Sequence, residues 1–133
     1  MTVRAPRDEE VPDVRSLQSL LAHADPALVD AALKGPFRCR VAVDDGTVVG
    51  YVIALPGAET TLSELAVAPA HRRAGHGRAL VAAVAGDAER VVATTPAEAG
   101  AIGFYEALGF EVETRLEAFY ESGADALRLA RRE

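Results

Sequence analysis

Between positions 8 and 21 the apolar residues Val11, Val14, Leu17, Leu20 and Leu21 recur at the spacing of one helix face, with polar residues between them. Pro6-Arg7-Asp8 leads into this segment. Asp8 is the expected N-cap, with Glu9 and Glu10 near the positive end of the helix dipole. A second short helix is expected over 25–33, between the start signal Asp25-Pro26 and the stop Gly35-Pro36. Residues 38–43 and 47–55 read as strands joined at Asp44-Asp45-Gly46, where the Asp-Gly pair supplies the positive φ of a tight hairpin. Strands are also expected at 2–5, at 60–67 before Pro69, at 90–94, and as a final pair at 110–119 and 126–130 around Ser122-Gly123. Two further helices are expected: 75–85, with Leu80, Val81 and Val84 inward, and 97–108, opened by Pro96 and ended by Gly109. With no repeat, low-complexity stretch or linker, residues 1–133 read as one α/β (α+β) domain with a mixed sheet.

Half of the 133 residues are hydrophobic, enough for a real core. The net charge of −6 argues against nucleic acid as the main partner, because phosphate backbones attract basic surfaces. No apolar run approaches the ~18 residues of a membrane span, and Met1-Thr2-Val3-Arg4 lacks the apolar core of a signal peptide. A cytoplasmic protein is expected, monomeric or homodimeric. Cys39 is the only cysteine, so neither a disulfide within the chain nor a thiolate zinc site can form, and no metal is expected.

One local cluster departs from the acidic background: Arg72, Arg73 and Arg78 flank Gly75 and Gly77 between a predicted strand and a predicted helix. A helix start offers backbone N–H groups that lack intrahelical partners and carries partial positive charge. Glycines let a diphosphate approach the main chain. Position 80 is Leu where a dinucleotide fingerprint has its third glycine, and the Gly-Lys-Ser/Thr of a P-loop is absent. From these residues alone, a pyrophosphate cradle and a tight strand–helix connection both remain open.

The stretch Ala66-Val67-Ala68-Pro69-Ala70-His71-Arg72-Arg73-Ala74-Gly75-His76-Gly77-Arg78-Ala79-Leu80 resembles motif A of the GNAT superfamily of N-acetyltransferases. About thirty residues on, Phe104-Tyr105-Glu106-Ala107-Leu108-Gly109-Phe110 resembles that family's second signature. The resemblance implies a mostly antiparallel central sheet, splayed between its fourth and fifth strands and flanked by about four helices. It also implies acetyl-CoA in the splay, as acyl donor. The pyrophosphate would meet main-chain amides of Arg73, Ala74, Gly75, His76 and Gly77, with Arg72 and Arg78 nearby. The pantetheine arm would add along the backbone of Leu65, Ala66 and Val67. Where relatives often carry Asn at the start of the second helix, this chain has Glu98.

Acyl transfer to an amine needs the amine deprotonated and the departing thiolate stabilised. Tyr105 matches the family tyrosine that faces the CoA sulfur and is the expected general acid. Main-chain N–H at or beside Val67 is the expected donor to the thioester carbonyl. Glu64 is the candidate base; strand alternation would put Glu59 on the opposite face. His76 is expected to point to solvent, His71 and His23 to be surface residues, and Cys39 to be a buried structural cysteine. Direct attack in a ternary complex follows. The segment 119–127 resembles the last hairpin of ribosomal-protein and other N-terminal acetyltransferases, which implies that Phe119 and Tyr120 frame the acceptor. The resulting expectation is an acetyl-CoA-dependent N-acetyltransferase acting on a peptide α-amine or a small amine. The alternative is a non-catalytic acyl-CoA-binding regulatory module.

Overall fold

In a computed structural model of the chain, residues 2–21, 25–72, 74–97 and 101–132 are described. The elements are β1 (Thr2–Arg4), a 3-10 turn (Asp8–Glu10), α1 (Val11–Gln18), α2 (Pro26–Lys34), β2 (Arg38–Asp44), β3 (Thr47–Leu55) and β4 (Glu59–Val67). A second 3-10 turn (Pro69–His71), α3 (His76–Ala85), β5 (Arg90–Pro96), α4 (Ala101–Ala107), β6 (Glu111–Leu116) and β7 (Ala126–Arg132) follow. The strands form one seven-stranded sheet in the order β1-β2-β3-β4-β5-β7-β6. β4 and β5 run parallel and the other neighbours antiparallel. A parallel pair needs a crossover, and α3 provides it. Among the described residues, no helix is long and apolar enough to cross a membrane.

The sheet buries both faces of its first half. On one face Leu80, Val81 and Val84 of α3 pack with Val52, Leu65 and Val67, joined by Tyr105 and Leu108. On the other, Val14 and Leu17 of α1 and Val29 and Ala32 of α2 cover Cys39, Val41, Tyr51 and Ile53. The turn between β2 and β3 carries φ values of 54° at Asp45 and 77° at Gly46, as the Asp-Gly pair predicts. Asp25 caps α2, its carboxylate accepting from the N–H of Ala27 at 2.9 Å.

A bulge in β4 shapes the site. Ile53 is paired with Glu64 and Ala54 with Leu62, which leaves Ser63 as an extra residue. The face assignment flips there: Leu62 and Leu65 both enter the α3-side core, while Ala66 turns to the α1 side. Glu59 and Glu64, expected on opposite faces, therefore share the α1-side face. Glu59 is occupied at 2.9 Å by Arg90 and at 2.8 Å by Arg128. Pairing between β4 and β5 covers only Glu59–Leu62 with Arg90–Ala93. Beyond it β4 stays on β3 and β5 stays on β7, so the sheet parts as the resemblance implied.

Three local expectations are corrected. Pro96 is the last residue of β5, held by its pairing with Ala126, instead of opening a helix. β6 is shorter than expected and ends at Leu116, while β7 runs past its expected end to Arg132; Phe119 and Tyr120 lie in the connecting loop, closed by Gly123 N–H donating to Tyr120 O at 2.9 Å. Asp8 lies inside the first 3-10 turn, and the cap belongs to Arg7, whose N–H donates to Glu10 Oε1 at 2.8 Å.

Glu10 also takes both guanidinium nitrogens of Arg4, at 2.7 and 2.8 Å, tying β1 to the start of the helical segment. The Arg4 hydrogen bond and, less strongly, the Arg7 N–H hold the Glu10 carboxyl down to about 2 against the opposing effect of burial. A depressed carboxyl contributes stability that is complete above its ordinary value of 4.5 and is lost as pH falls toward 2. Glu10→Gln is expected to cost about 1.5–3 kcal/mol at neutral pH. In urea denaturation the difference from the parent protein should shrink at pH 3; a pH-independent difference would rule out this pair as its source.

Candidate active site

The parting of β4 from β5 opens a cleft of about 1210 Å³. Its walls are β4 from Thr61 to Val67, β5 from Thr94 to Pro96, the start of α3, one side of α4, and the loop holding Phe119 and Tyr120. Leu20 and Leu21, just after α1, close the side toward the helices.

At one end lies the glycine turn. Gly75 is the N-cap of α3 with φ 87°, a conformation that L side chains rarely adopt, and no side chain caps this helix. Gly75 O accepts the N–H of Ala79 at 3.0 Å, so the amides of the helix's first turn precede its own ladder. Gly75, His76, Gly77 and Arg78 all line the cleft. A Cβ at Gly77 would meet Phe104 Cζ at 3.3 Å, so this glycine also serves the packing of α3 on α4. Ala74 is exposed and does not line the cleft, and Arg73 lies outside the described residues, as does Glu98. The two flanking arginines brace the turn: Arg72 Nε donates to Val67 O at 3.0 Å and Arg78 Nη2 to Ala107 O at 2.9 Å.

Along the middle, Leu65, Ala66 and Val67 line the cleft on the β4 edge that no longer faces β5. Tyr105 reaches the cleft from the α3 side. It is buried among the rings of Phe104 and Phe110, whose centroids lie 5.5 and 5.3 Å away. Burial, and secondarily Tyr120, pushes its hydroxyl up to about 12, so it stays protonated at neutral pH.

Glu64 enters from the opposite face of the sheet and is 6% exposed. Its Oε1 accepts from Gln18 Nε2 at 2.9 Å and from the Tyr51 hydroxyl at 3.0 Å, and its Oε2 from the N–H of Asp25 at 3.1 Å. Among the described residues it forms no ion pair. Its partners among the described residues are neutral donors, and none of them brings it a positive charge. Glu64, hydrogen-bonded to Tyr51 and adjacent to its packing, drives the Tyr51 hydroxyl upward after burial, the larger cause. Phe119, 54% exposed, and half-buried Tyr120 stack edge to face at 5.0 Å over the outer mouth.

One histidine departs from expectation. His76 is buried at 3% exposure instead of facing solvent, because the first turn of α3 packs it toward the β2–β3 hairpin, with Nε2 4.0 Å from Asp44 Oδ2. His71 is half-buried with its ring centroid 6.2 Å from that of His76; His23 lies outside the described residues. Cys39 is buried, its thiol pushed up to about 11 by burial, and it does not line the cleft. Sequence reasoning missed Gln18 and Tyr51. The available signals were a glutamine beside Leu17 on the inward stripe of α1 and a tyrosine within the apolar run of β3.

A mixed sheet parted at its parallel pair, with a glycine turn opening a helix at the parting, defines an acyltransferase fold. The acetyltransferase (GNAT) domain family matches residues 35–112, and the chain belongs to that family. It is an acetyltransferase by family and shares its fold with many solved structures. A GNAT-family protein from Desulfovibrio desulfuricans is 27% identical with a TM-score of 0.81, covering 98% of each chain. The ribosomal-protein-S18-alanine N-acetyltransferase from Escherichia coli is 24% identical with a TM-score of 0.77, covering 98% of this chain and 92% of that one. A GNAT family acetyltransferase from Elizabethkingia anophelis, with acetyl-CoA bound, is 20% identical with a TM-score of 0.78, covering 99% and 97%. Among curated proteins, none matches the chain.

Among the described residues, none beyond the chain neighbours of Gly75 comes within 4 Å of a Cβ built there, so a side chain meets backbone strain and no clash with them. Gly75→Ala is expected to destabilise the protein by about 1–2 kcal/mol in equilibrium denaturation, the cost of a left-handed non-glycine residue. An unchanged midpoint would mean that the turn relaxes to another conformation.

Proposed function

We propose that this acetyltransferase takes acetyl-CoA as its donor and passes the acetyl group directly to a primary amine in a ternary complex, with residues 1–133 acting as one domain in the cytoplasm. The observation that carries the reading is the joining, in one cleft, of a helix start opened by glycine, a strand edge that β5 has left, a protonated tyrosine and a buried carboxylate. The turn from Arg73 to Gly77 would hold the diphosphate on main-chain amides, with Arg72 and Arg78 adding charge and bracing. The β4 edge at Leu65, Ala66 and Val67 would pair with the amides of the pantetheine arm as an added strand does. The N–H at or beside Val67 would polarise the thioester carbonyl.

Tyr105, protonated to about 12, is suited to donate a hydrogen bond to the departing sulfur. Glu64 is suited to draw in the ammonium form of the acceptor and take its proton, directly or through water. Tyr51 and Gln18 hold its Oε1 in place while it does so. Phe119 and Tyr120, with Leu20 and Leu21, make an apolar approach to that carboxylate, which suits a peptide α-amine or a small amine carrying an apolar neighbour. The Escherichia coli relative, named for an alanine of a ribosomal protein, supports the peptide option. Cys39, a protonated thiol away from the cleft, supports direct transfer over a cysteinyl intermediate.

The deciding experiment is thiol release from acetyl-CoA with a panel of small amines and peptides of varied first residue. Amine-dependent release is expected, and its absence across the panel would defeat the proposal. Tyr105→Phe should lower kcat by about 100-fold or more while CoA affinity stays near that of the parent protein. Unchanged turnover would remove Tyr105 from the mechanism. Glu64→Gln should lower kcat/KM for the amine at least about tenfold, with little effect on acetyl-CoA binding. Equal losses toward donor and acceptor would point to a structural role instead.

A further inference from the structure

Three side chains that the sequence reading kept apart meet beside the glycine turn. Asp44 ends β2, His71 closes the 3-10 turn after β4, and His76 opens α3. One donor atom from each lies within 4.8 Å of the other two. We propose that Asp44, His71 and His76 form a binding site for a divalent transition-metal ion of the zinc type. The proposal does not depend on the acyl-CoA reading.

Two imidazoles and one carboxylate are a borderline nitrogen and oxygen set. It selects zinc, nickel or cobalt over magnesium and calcium, which prefer oxygen alone. With metal–ligand bonds of about 2.0–2.2 Å, two ligands of one ion stand about 3.4 Å apart at a tetrahedral angle and about 4.2 Å apart in line. The 4.0 Å between His76 Nε2 and Asp44 Oδ2 falls within that span and beyond a hydrogen bond. Closing the wider separations takes a movement of roughly an ångström, and the Asp44 side chain, 45% exposed on its hairpin, is free to make it. His76 is the fixed member, held by burial at 3% exposure. Three protein ligands leave a fourth position for water, as open zinc sites have. The ion would join the end of β2 to the 3-10 turn after β4 and to the start of α3, tying the β2–β3 hairpin to the glycine turn.

The test uses tag-free full-length protein, stripped with chelator and titrated with zinc by calorimetry and with cobalt by visible absorption. Binding of one ion per chain at micromolar concentration and cobalt bands of a low-symmetry site are expected. Asp44→Asn and His71→Ala should each weaken zinc binding at least about tenfold. His23→Ala, which removes the only other histidine, should leave it unchanged. His76 is too buried for a clean test, and if His71→Ala fails to fold, Asp44→Asn decides. No stoichiometric binding, or binding that survives Asp44→Asn undiminished or is lost with His23→Ala, overturns the proposal.

Discussion

The backbone of β4 cannot serve two neighbours once it has taken in an extra residue. At Thr61 and Leu62 it pairs with both β3 and β5; after the bulge at Ser63 it follows β3 alone. β5 continues in the other direction because Thr94, Thr95 and Pro96 stay paired with β7. The two edges so released carry main-chain donors and acceptors that water or a ligand must satisfy. A cleft made this way has a recognition chemistry before any side chain is considered. It favours a long, amide-bearing ligand that can lie along a strand edge.

Side chains then give the cleft a polarity. The start of α3, with its dipole and arginines, makes one end attractive to anions. Glu64 makes the opposite side attractive to cations, and the fold invests in keeping it there. Gln18 Nε2 donates to Asp25 O at 2.8 Å as well as to Glu64, and the Asp25 N–H donates to Glu64 while its carboxylate caps α2. The end of α1 and the start of α2 are therefore anchored on the same buried carboxylate. Removing it would disturb the helical wall of the cleft as well as its charge, which is why donor and acceptor effects must be separated kinetically.

Most of the scaffold was legible because short-range rules governed it. The Asp-Gly hairpin, the Asp25-Pro26 start and the glycine turn each rest on local backbone preference, and each stands where the pattern put it. Pro96 misled because long-range pairing with Ala126 outweighed its preference for a helix start. The bulge at Ser63 has no sequence signature, and it alone reversed the relation of Glu59 to Glu64. The burial of His76 and its meeting with Asp44 and His71 arise from how α3 packs against a hairpin some thirty residues earlier in the chain, which no local spacing encodes. Gln18 and Tyr51 fall within a predicted helix and a predicted strand, and their common partner is visible only in three dimensions.

The same packing bears on what Tyr105 does. A tyrosine held at about 12 lies more than three pKa units above an aqueous thiol near 8.5, so full proton transfer to a solvated thiolate would be uphill by roughly 5 kcal/mol. Yet the burial that raises the tyrosine also raises any thiol that departs beside it. Cys39 shows the direction within this fold: enclosed in the sheet, its thiol is pushed up to about 11 by burial. Against a leaving group shielded from water the mismatch narrows, and a hydrogen bond between better-matched partners becomes effective. On the proposed reading Tyr105 therefore works only while the cleft excludes water around the sulfur. The apolar packing of Phe104, Phe110 and Leu108 then belongs to the acid's function as much as to the core.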